Sequence, residues 1–246
     1  MFAIFRREIS GFFSSLTGYM VIIVFLLINS LFMWVFPGEW NIFDTGYAGL
    51  DTLFFLSPWV FLFLVPAVTM KMIAEEKRLG TIELIFTRPV TEREIIWGKF
   101  LASVSLVLLS LLPGILYYIS VYFLGEVPGN LDRGETLGAF IGLFFLASVY
   151  ASAGIFASSV SDNQVVAFIL AVLICFFLYM GFDSFAYLPG LKRLDEFVIN
   201  LGINEHYKSI SRGVLDIRDT IYFISVALIF NEATQLVLLS RKWRKG

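Results

Sequence analysis

Residues 52–70 form the run TLFFLSPWVFLFLVPAVTM, which contains no charged side chain. A helix that crosses about 30 Å of hydrocarbon at 1.5 Å per residue needs roughly 20 apolar residues, so this run is long enough. Charged residues return immediately afterwards in KMIAEEKR, residues 71–78. The sequence therefore predicts a membrane-spanning helix here, followed by a segment in water.

The same pattern recurs along the chain. Four more charge-free intervals are long enough to span a membrane, and a further apolar segment near the C-terminus carries Glu232 as its one charged residue. We predict an all-α integral membrane protein with six transmembrane helices in one domain, 1–246. The predicted spans cover about residues 14–36, 52–72, 97–124, 136–160, 164–183 and 219–240.

The composition supports this class. Hydrophobic residues make up 58% of the chain and charged residues only 15%, against about a quarter in soluble proteins, and the mean hydropathy is +0.82. This much apolar surface excludes a disordered chain, and a single cysteine excludes an internal disulfide framework. The net charge of −2 argues against nucleic acid as a partner.

The positions of lysine and arginine predict the orientation, since basic loop residues stay on the cytoplasmic side. With the N-terminus inside, twelve basic residues are cytoplasmic and six are external, so both termini are predicted to lie in the cytoplasm. The first apolar run is too long for a cleaved signal peptide. The twelve are Arg6, Arg7, Lys71, Lys77, Arg78, Arg88, Arg93, Lys99, Arg241, Lys242, Arg244 and Lys245.

Local signals predict helix starts and contacts. Thr91 with Glu94 and Ser161 with Gln164 have capping-box spacing before the third and fifth spans. The short 161–163 link predicts that the fourth and fifth helices are antiparallel neighbours. Small residues on the fourth helix predict close packing, and prolines in the second and third spans predict kinks. The small residues are Gly138, Gly142, Ala147, Ala151, Gly154 and Ser158. The kinks are predicted at Pro66 and at Pro113-Gly114.

No catalytic constellation is present in the sequence. His206 is the one histidine, which excludes multi-histidine metal sites, and Cys175 lies within an apolar span, where a thiol is usually inert. The phosphate-cradling loop of ATPases, Gly-x-x-x-x-Gly-Lys-Ser/Thr, does not occur. We therefore expect no enzymatic site, no metal site and no ATP hydrolysis by this chain alone.

The segment after the second span, residues 75–89, predicts a short surface helix. Thr81 is a suitable N-cap, Glu83 lies in the first turn, and Pro89 ends the helix. Ile82, Ile85 and Phe86 fall on one apolar face. The pattern fits a loop lying on lipid headgroups as well as it fits a docking element for a partner.

The run Glu75-Glu76-Lys77-Arg78-Leu79-Gly80-Thr81-Ile82-Glu83-Leu84, with Arg88-Pro89 and the 92–99 segment, resembles the permease subunits of ABC-2 type transporters. The six-helix layout with both ends inside resembles them over the whole chain. The run from His206 to Asp216, HYKSISRGVLD, further resembles the gliding-motility-associated permease subunit GldF.

This resemblance implies a membrane subunit that is driven by a separate ATPase, which binds ATP and Mg²⁺. It implies that the 75–89 loop is the coupling helix, with a turn at Gly80 and a cap at Thr81. Leu84, Ile85 or Phe86 would insert into a groove on the ATPase, and charged residues of the loop would set the register by charge pairing. These charged residues are Glu75, Glu76, Arg78 and Glu83. Six helices form half of such a pathway, so a second permease copy or a related subunit is also implied. The partners suggested are a GldA-like ATPase and a GldG-like membrane protein in a bacterial inner membrane.

Three other regions carry expectations. Phe2, Phe5, Ile9, Phe12 and Leu16 predict an amphipathic N-terminal helix at the membrane surface. Glu232, beside Asn231, is predicted to lie within the hydrocarbon, either paired and holding helices together or acting in a relay. The external 183–218 loop is expected to form short interfacial helices, the first containing Leu191, Leu194, Val198 and Leu201.

Two other functional classes remain open from the residues. One is a membrane scaffold that anchors a motility or secretion complex and transports nothing. The other is an intramembrane enzyme built on Glu232 or Asp183, which lacks any visible catalytic companion.

Overall fold

The structure is a computed structural model that describes residues 1–87, 89–127, 129–186 and 198–244, and these ranges contain helices and no strand. Six helical stretches are long and apolar enough to cross a membrane, as predicted. They are Leu16–Val35, Asp51–Arg78, Glu92–Leu124, Arg133–Val160, Gln164–Ser184 and Ile217–Ser240.

The elements are numbered here in chain order. They are α1 (Phe2–Ser14), α2 (Leu16–Ser30), α3 (Ile42–Thr45), α4 (Asp51–Arg78), α5 (Thr81–Phe86), α6 (Glu92–Leu111), α7 (Gly114–Leu124), α8 (Arg133–Val160), α9 (Gln164–Phe176), α10 (Phe182–Ala186), α11 (Ile203–Ser211) and α12 (Ile217–Arg244). Two single-turn π-helical segments, Leu31–Val35 and Phe177–Gly181, extend α2 and α9.

Helix α8 forms the centre of the bundle, with α4, α6, α9, α11 and α12 packed around it. The small-residue stripe explains this position. A Cβ at Gly154 would lie 2.0 Å from Thr69 Oγ1 on α4, and one at Gly138 would lie 2.4 Å from the Ile210 carbonyl oxygen on α11. The predicted close packing of α8 and its pairing with α9 are therefore confirmed.

Ser158 at the end of the same stripe ties α8 to the backbone of α4. Its hydroxyl accepts from the amides of Ile73 and Ala74, both at 3.0 Å, and donates to the Met70 carbonyl oxygen at 2.8 Å. The side chain is wholly buried. A hydroxyl inserted into a helical ladder satisfies backbone groups that the helix itself leaves open, so this contact fixes α4 against α8.

The prolines act differently in the two spans. Pro113 separates α6 from α7, because helix α6 ends at Leu111 and α7 begins at Gly114. Helix α4 instead continues through Pro58 and Pro66 without interruption. The Thr69 hydroxyl donates to the Val65 carbonyl oxygen at 2.9 Å within this stretch.

One of the two predicted caps is confirmed. Thr91 and Glu94 form a reciprocal capping box, with amide-to-side-chain distances of 3.0 Å and 3.3 Å, and α6 begins at Glu92. The second was wrong: α9 is capped by Asn163, whose Oδ1 accepts from the Val165 amide at 2.9 Å. Asparagine is among the best N-cap residues, and it lies directly before the helix.

The predicted N-terminal helix is present as α1, but its buried face was partly misassigned. Ile4 and Phe12 are buried and Phe5 and Ile9 pack partly against the core, whereas Phe2 is exposed. Leu16 is also exposed and belongs to α2, because the chain bends at Ser15. Helix α1 packs against α6, where a Cβ at Gly98 would lie 3.0 Å from Ile4.

The 198–216 segment forms one short helix, α11, which packs against α8. His206 bonds Asp219 through Nδ1 at 2.6 Å and the Asn200 carbonyl oxygen through Nε2 at 2.8 Å. This holds α11 against the start of α12. Of the earlier predicted helix, Leu191 and Leu194 lie outside the described residues, whereas Val198 is helical and Leu201 lies in a turn.

Candidate functional site

The ammonium group of Lys99 lies at the centre of an ionic cluster beside α5. Its side chain is 0% exposed, and Nζ donates to three oxygens: Glu8 Oε1 at 2.9 Å, Glu76 Oε1 at 2.9 Å and the Met72 carbonyl oxygen at 2.7 Å. An ammonium group has three donors, so all of them are used. A buried cation is tolerated only with this degree of pairing.

Arg7 completes the cluster from α1. Its guanidinium lies 2.5 Å from Glu8 Oε1 and 2.6 Å from Glu76 Oε1, the same oxygens that Lys99 contacts. Two cations and two carboxylates balance, so the group is neutral as a whole. We call Arg7, Glu8, Glu76 and Lys99 the Lys99 cluster. It joins α1, the last turns of α4 and the second turn of α6.

The electrostatics of Glu8 favour its ionised form. Burial by itself opposes ionisation, but the charges of Lys99 and Arg7, and their hydrogen bonds, outweigh it and hold the pKa of Glu8 below its ordinary value. The carboxylate therefore remains charged at neutral pH. Because opposite charges a few ångströms apart are strongly attracted in a partly buried site, the cluster holds three helices together.

Gly80 positions α5 directly after α4. It adopts a left-handed conformation with φ of 70°, which a residue with a side chain rarely takes, and this forms the turn between α4 and α5. The predicted cap at Thr81 was wrong. Gly80 occupies the N-cap position, and the Thr81 hydroxyl donates to the Glu76 carbonyl oxygen at 3.3 Å, which attaches α5 to the end of α4.

Helix α5 presents one buried and one exposed side. Ile82 is buried, whereas Leu84 is 66% exposed and Leu79, just before the turn, is 61% exposed. A cleft of about 330 Å³ separates α5 from α1 and is lined by Ile4, Thr81, Leu84, Ile85 and Val90 among others. Large exposed apolar side chains beside a cleft at the end of a bundle are typical of a protein contact surface.

The residues proposed from the sequence occupy different positions around this cleft. Glu76 is directed into the Lys99 cluster, and Glu75 lines a second cleft, also about 330 Å³, between α1 and α4. Arg78 and Glu83 are exposed. Ile85 is partly buried, and the side chain of Phe86 lies outside the described residues. Thus the exposed set comprises Arg78, Glu83 and Leu84, and Glu76 belongs to the interior.

Glu232 lies near the same end of the bundle, within the candidate span Ile217–Ser240. Its carboxylate is 3.3 Å from the Arg93 guanidinium in the first turn of α6, and Arg93 Nε donates to Gln235 Oε1 at 2.9 Å. The Arg93 side chain is 64% exposed and the Glu232 side chain is 51% exposed. Asn231 is buried, and its side-chain amide has no hydrogen-bond partner among the described residues. Sequence reasoning placed no partner for Glu232, because Arg93 is 139 residues away.

Three members of the cluster were not predicted from the sequence to belong to this site: Arg7, Glu8 and Lys99. A lysine directly before a 26-residue charge-free interval was the available signal, since a charge at the edge of an apolar span usually needs a partner. Its partners could not be identified, as Glu8 is 91 residues away. In the described ranges, no group of three or more His, Cys, Asp or Glu residues is arranged to hold a metal ion.

Comparison with known proteins gives one family match. A family model described as ABC-2 family transporter protein matches residues 51–243, from the start of α4 to the last turn of α12. The match contains α5, Glu76 and Lys99, and it leaves α1 and α2 outside. Among curated proteins, none matches this chain.

Proposed function

This chain belongs to the ABC-2 family of transporter proteins, and we propose that its α5 and Lys99 cluster couple it to the ATPase that drives transport. The family consists of transport permeases, membrane subunits that work with an ABC ATPase. The chain is accordingly a multi-pass membrane permease. The proposal concerns where the ATPase docks and how its motion reaches the spanning helices.

The proposal rests on the contacts that connect α5 to the second and third spans. Only Leu79 and Gly80 separate α4 from α5, and the Thr81 hydroxyl is bonded to the Glu76 carbonyl oxygen. The Glu76 carboxylate is in turn bonded to Lys99 on α6. A displacement of α5 by a docked protein is therefore transmitted to the second and third spans together, because no flexible linker intervenes.

The exposed surface of α5 fits a protein partner better than a lipid surface. Leu84 and Leu79 are flanked by Arg78 and Glu83, which are exposed and of opposite charge. Apolar anchors surrounded by mixed charges are the pattern of a protein interface with a polar rim. A helix lying on anionic headgroups is instead typically rich in Lys and Arg on its polar face.

The basic residues support an orientation with this end of the bundle in the cytoplasm. Arg7, Lys77, Arg78, Arg93 and Lys99 all lie at the end that carries α5. Under the positive-inside rule both termini are cytoplasmic. The membrane proposed is the bacterial inner membrane, as the resemblance of the 206–216 run implies. ATP and Mg²⁺ are bound by the ATPase subunit.

The assembly follows from the size of the chain. Six spans form half of a pathway, so a second copy or a related membrane subunit completes it. The 206–216 run is the support for a role in gliding motility with GldA-like and GldG-like partners. Deletion of the gene in a gliding bacterium tests that role, and unchanged spreading on agar would contradict it.

A matched pair of variants tests the docking proposal. Leu84→Asp places a charge on α5, and Val214→Asp places the same charge on a residue of similar exposure, 64%, at the opposite end of the bundle. The tagged chain is purified in mild detergent, and the co-purified ABC ATPase and its ATP hydrolysis are measured. We expect L84D to lose both and V214D to retain both.

The same experiment distinguishes a transporter from a membrane scaffold. A scaffold can bind partners without coupling, so its complex would hydrolyse ATP at the same rate in the wild-type and L84D proteins. Equal ATPase recovery and equal hydrolysis in L84D would contradict the proposal.

A further inference from the structure

A cavity of about 450 Å³ lies at the end of the bundle opposite α5. It opens between the first turns of α4 and α8, the π-helical turn after α9, and α11. Its walls are mainly aromatic and include Phe54, Trp59 and Tyr207. It shares no lining residue with the two clefts beside α5, so it is a separate site.

Two carboxylates at the mouth of this cavity have no partner among the residues that the structure describes. Asp51 is the first residue of α4 and Glu135 lies in the first turn of α8, and their charges are close enough to interact. Neither forms a hydrogen bond or ion pair with a described residue. Both lie at helix N-termini, where the helix dipole favours a negative charge. Among the described lining residues the cation is Lys208, which lies 3.9 Å from Glu205, so these lining residues carry a net negative charge.

Tyr179 provides an independent indication of a ligand. It lines the cavity and is only 8% exposed, with its ring packed edge-on against Trp59 at 5.5 Å. Its hydroxyl makes no hydrogen bond to any described residue. The neighbouring Tyr207 differs, since its hydroxyl donates to the Phe54 carbonyl oxygen at 2.7 Å. The Tyr179 residue is thus more than nine-tenths buried, and its hydroxyl, on the wall of an open cavity, has no partner among the described residues, so a bound molecule can satisfy it.

We propose that this cavity binds an organic ammonium ion with an apolar body. The ammonium N–H groups donate to Asp51, Glu135 and the Tyr179 hydroxyl, and the apolar body packs on the aromatic walls. Aromatic ring faces attract cations, which adds to the attraction of the carboxylates. A bare metal ion fits less well, because no metal-holding group of three acidic, histidine or cysteine side chains is found in the described ranges.

The test uses the purified full-length chain in dodecyl maltoside, without any ATPase, so it is independent of the docking proposal. Calorimetric titration compares phenethylammonium with two molecules of similar shape, neutral 2-phenylethanol and anionic phenylacetate. We expect phenethylammonium to bind at least about tenfold more tightly than 2-phenylethanol, which is about 1.4 kcal/mol, since only the cation is attracted by the two carboxylates and by the aromatic ring faces. Phenylacetate should not bind.

Variants assign the preference to this cavity. D51N/E135Q should abolish the discrimination between phenethylammonium and 2-phenylethanol. E39Q/E126Q removes the same charge from two exposed residues at the same end that do not line the cavity, and it should preserve the discrimination. Y179F, which keeps the ring, should weaken phenethylammonium binding by roughly two- to tenfold.

Two results would overturn the proposal. One is equal affinity of the wild-type protein for phenethylammonium and 2-phenylethanol. The other is undiminished discrimination in D51N/E135Q, which would place the binding elsewhere. If D51N/E135Q does not elute as a folded protein on gel filtration, Y179F decides, and an affinity equal to the wild-type value contradicts the proposal.

Discussion

Lys99 on α6 and Glu76 on α4 are joined by a bond of 2.9 Å between Nζ and Oε1, with the lysine side chain fully enclosed. The two residues flank the loop that carries α5, so the loop is closed at its base by an ion pair. The Met72 carbonyl oxygen, one turn before Glu76, accepts from the same ammonium. The second and third spans are therefore fixed to each other where α5 is attached.

Replacing Lys99 should destabilise the protein strongly. In K99M the carboxylates of Glu8 and Glu76 lose their enclosed partner, and breaking a buried ion pair costs about 3–5 kcal/mol. Lys71 provides a control, since it is partly buried and its ammonium group donates to Thr17 Oγ1 at 3.0 Å and lies 5.7 Å from the centre of the Phe12 ring, with no carboxylate partner among the described residues. Unfolding in dodecyl maltoside, followed by tryptophan fluorescence, should show a much larger loss for K99M than for K71M. Equal losses would contradict the central role of Lys99.

The contribution of Glu8 to stability should depend on pH. Its pKa in the folded protein is lowered from 4.5, so its ionised form stabilises the fold at pH values above about 4.5 and this contribution declines as the pH falls through the lower, folded-state pKa. The difference in unfolding temperature between wild type and E8Q should therefore be full at pH 6–7 and shrink as the pH falls below about 4.5. A difference that stays constant or grows on acidification would show that Glu8 has the opposite shift.

Adding a methyl group at Gly154 should disrupt the contact between α8 and α4. The new Cβ would lie 2.0 Å from Thr69 Oγ1, so G154A should cost about 1–3 kcal/mol of unfolding free energy. Gly11 on α1 has nothing within 4 Å of its Cβ position, so G11A should be neutral or stabilising by about 0.5–1 kcal/mol. The double variant G154A/T69A should recover part of the loss. A G154A protein as stable as G11A would show that the helices are not in close contact.

The Arg93–Glu232 pair should contribute little. Its 3.3 Å contact joins two side chains that are more than half exposed, and pairs of this kind are worth about 0–1 kcal/mol. We expect E232Q to unfold within about 1 kcal/mol of the wild-type protein and to bind the ATPase normally. A loss of transport in stably folded E232Q would support the alternative that this carboxylate takes part in a relay.

The features that depend on neighbouring residues were predictable from the sequence. The six spans, the Thr91–Glu94 capping box and the close-packing stripe of α8 depend on run length or on spacing within one helix. Errors arose where two nearby residues could serve as the N-cap. Gly80 and not Thr81 is the N-cap of α5, because the turn there needs a positive φ, and Asn163 rather than Ser161 caps α9.

Only part of the candidate site could be predicted from the sequence. The exposed surface of α5 follows from the local pattern, whereas the Lys99 cluster unites residues from α1, α4 and α6. Such contacts are decided by how helices pack, and the sequence contains no spacing rule for them. For the same reason the pairing of Glu232 with Arg93 could not be foreseen.

The most direct test of the account is the side of the membrane on which α5 lies. In a C175S background, which removes the one native cysteine, L84C and V214C are treated with a membrane-impermeant maleimide in spheroplasts and in inside-out vesicles. The account predicts that L84C is labelled only in inside-out vesicles and V214C only in spheroplasts. Labelling of L84C in intact spheroplasts would place α5 outside the cell, where no ATPase can dock, and would contradict the account.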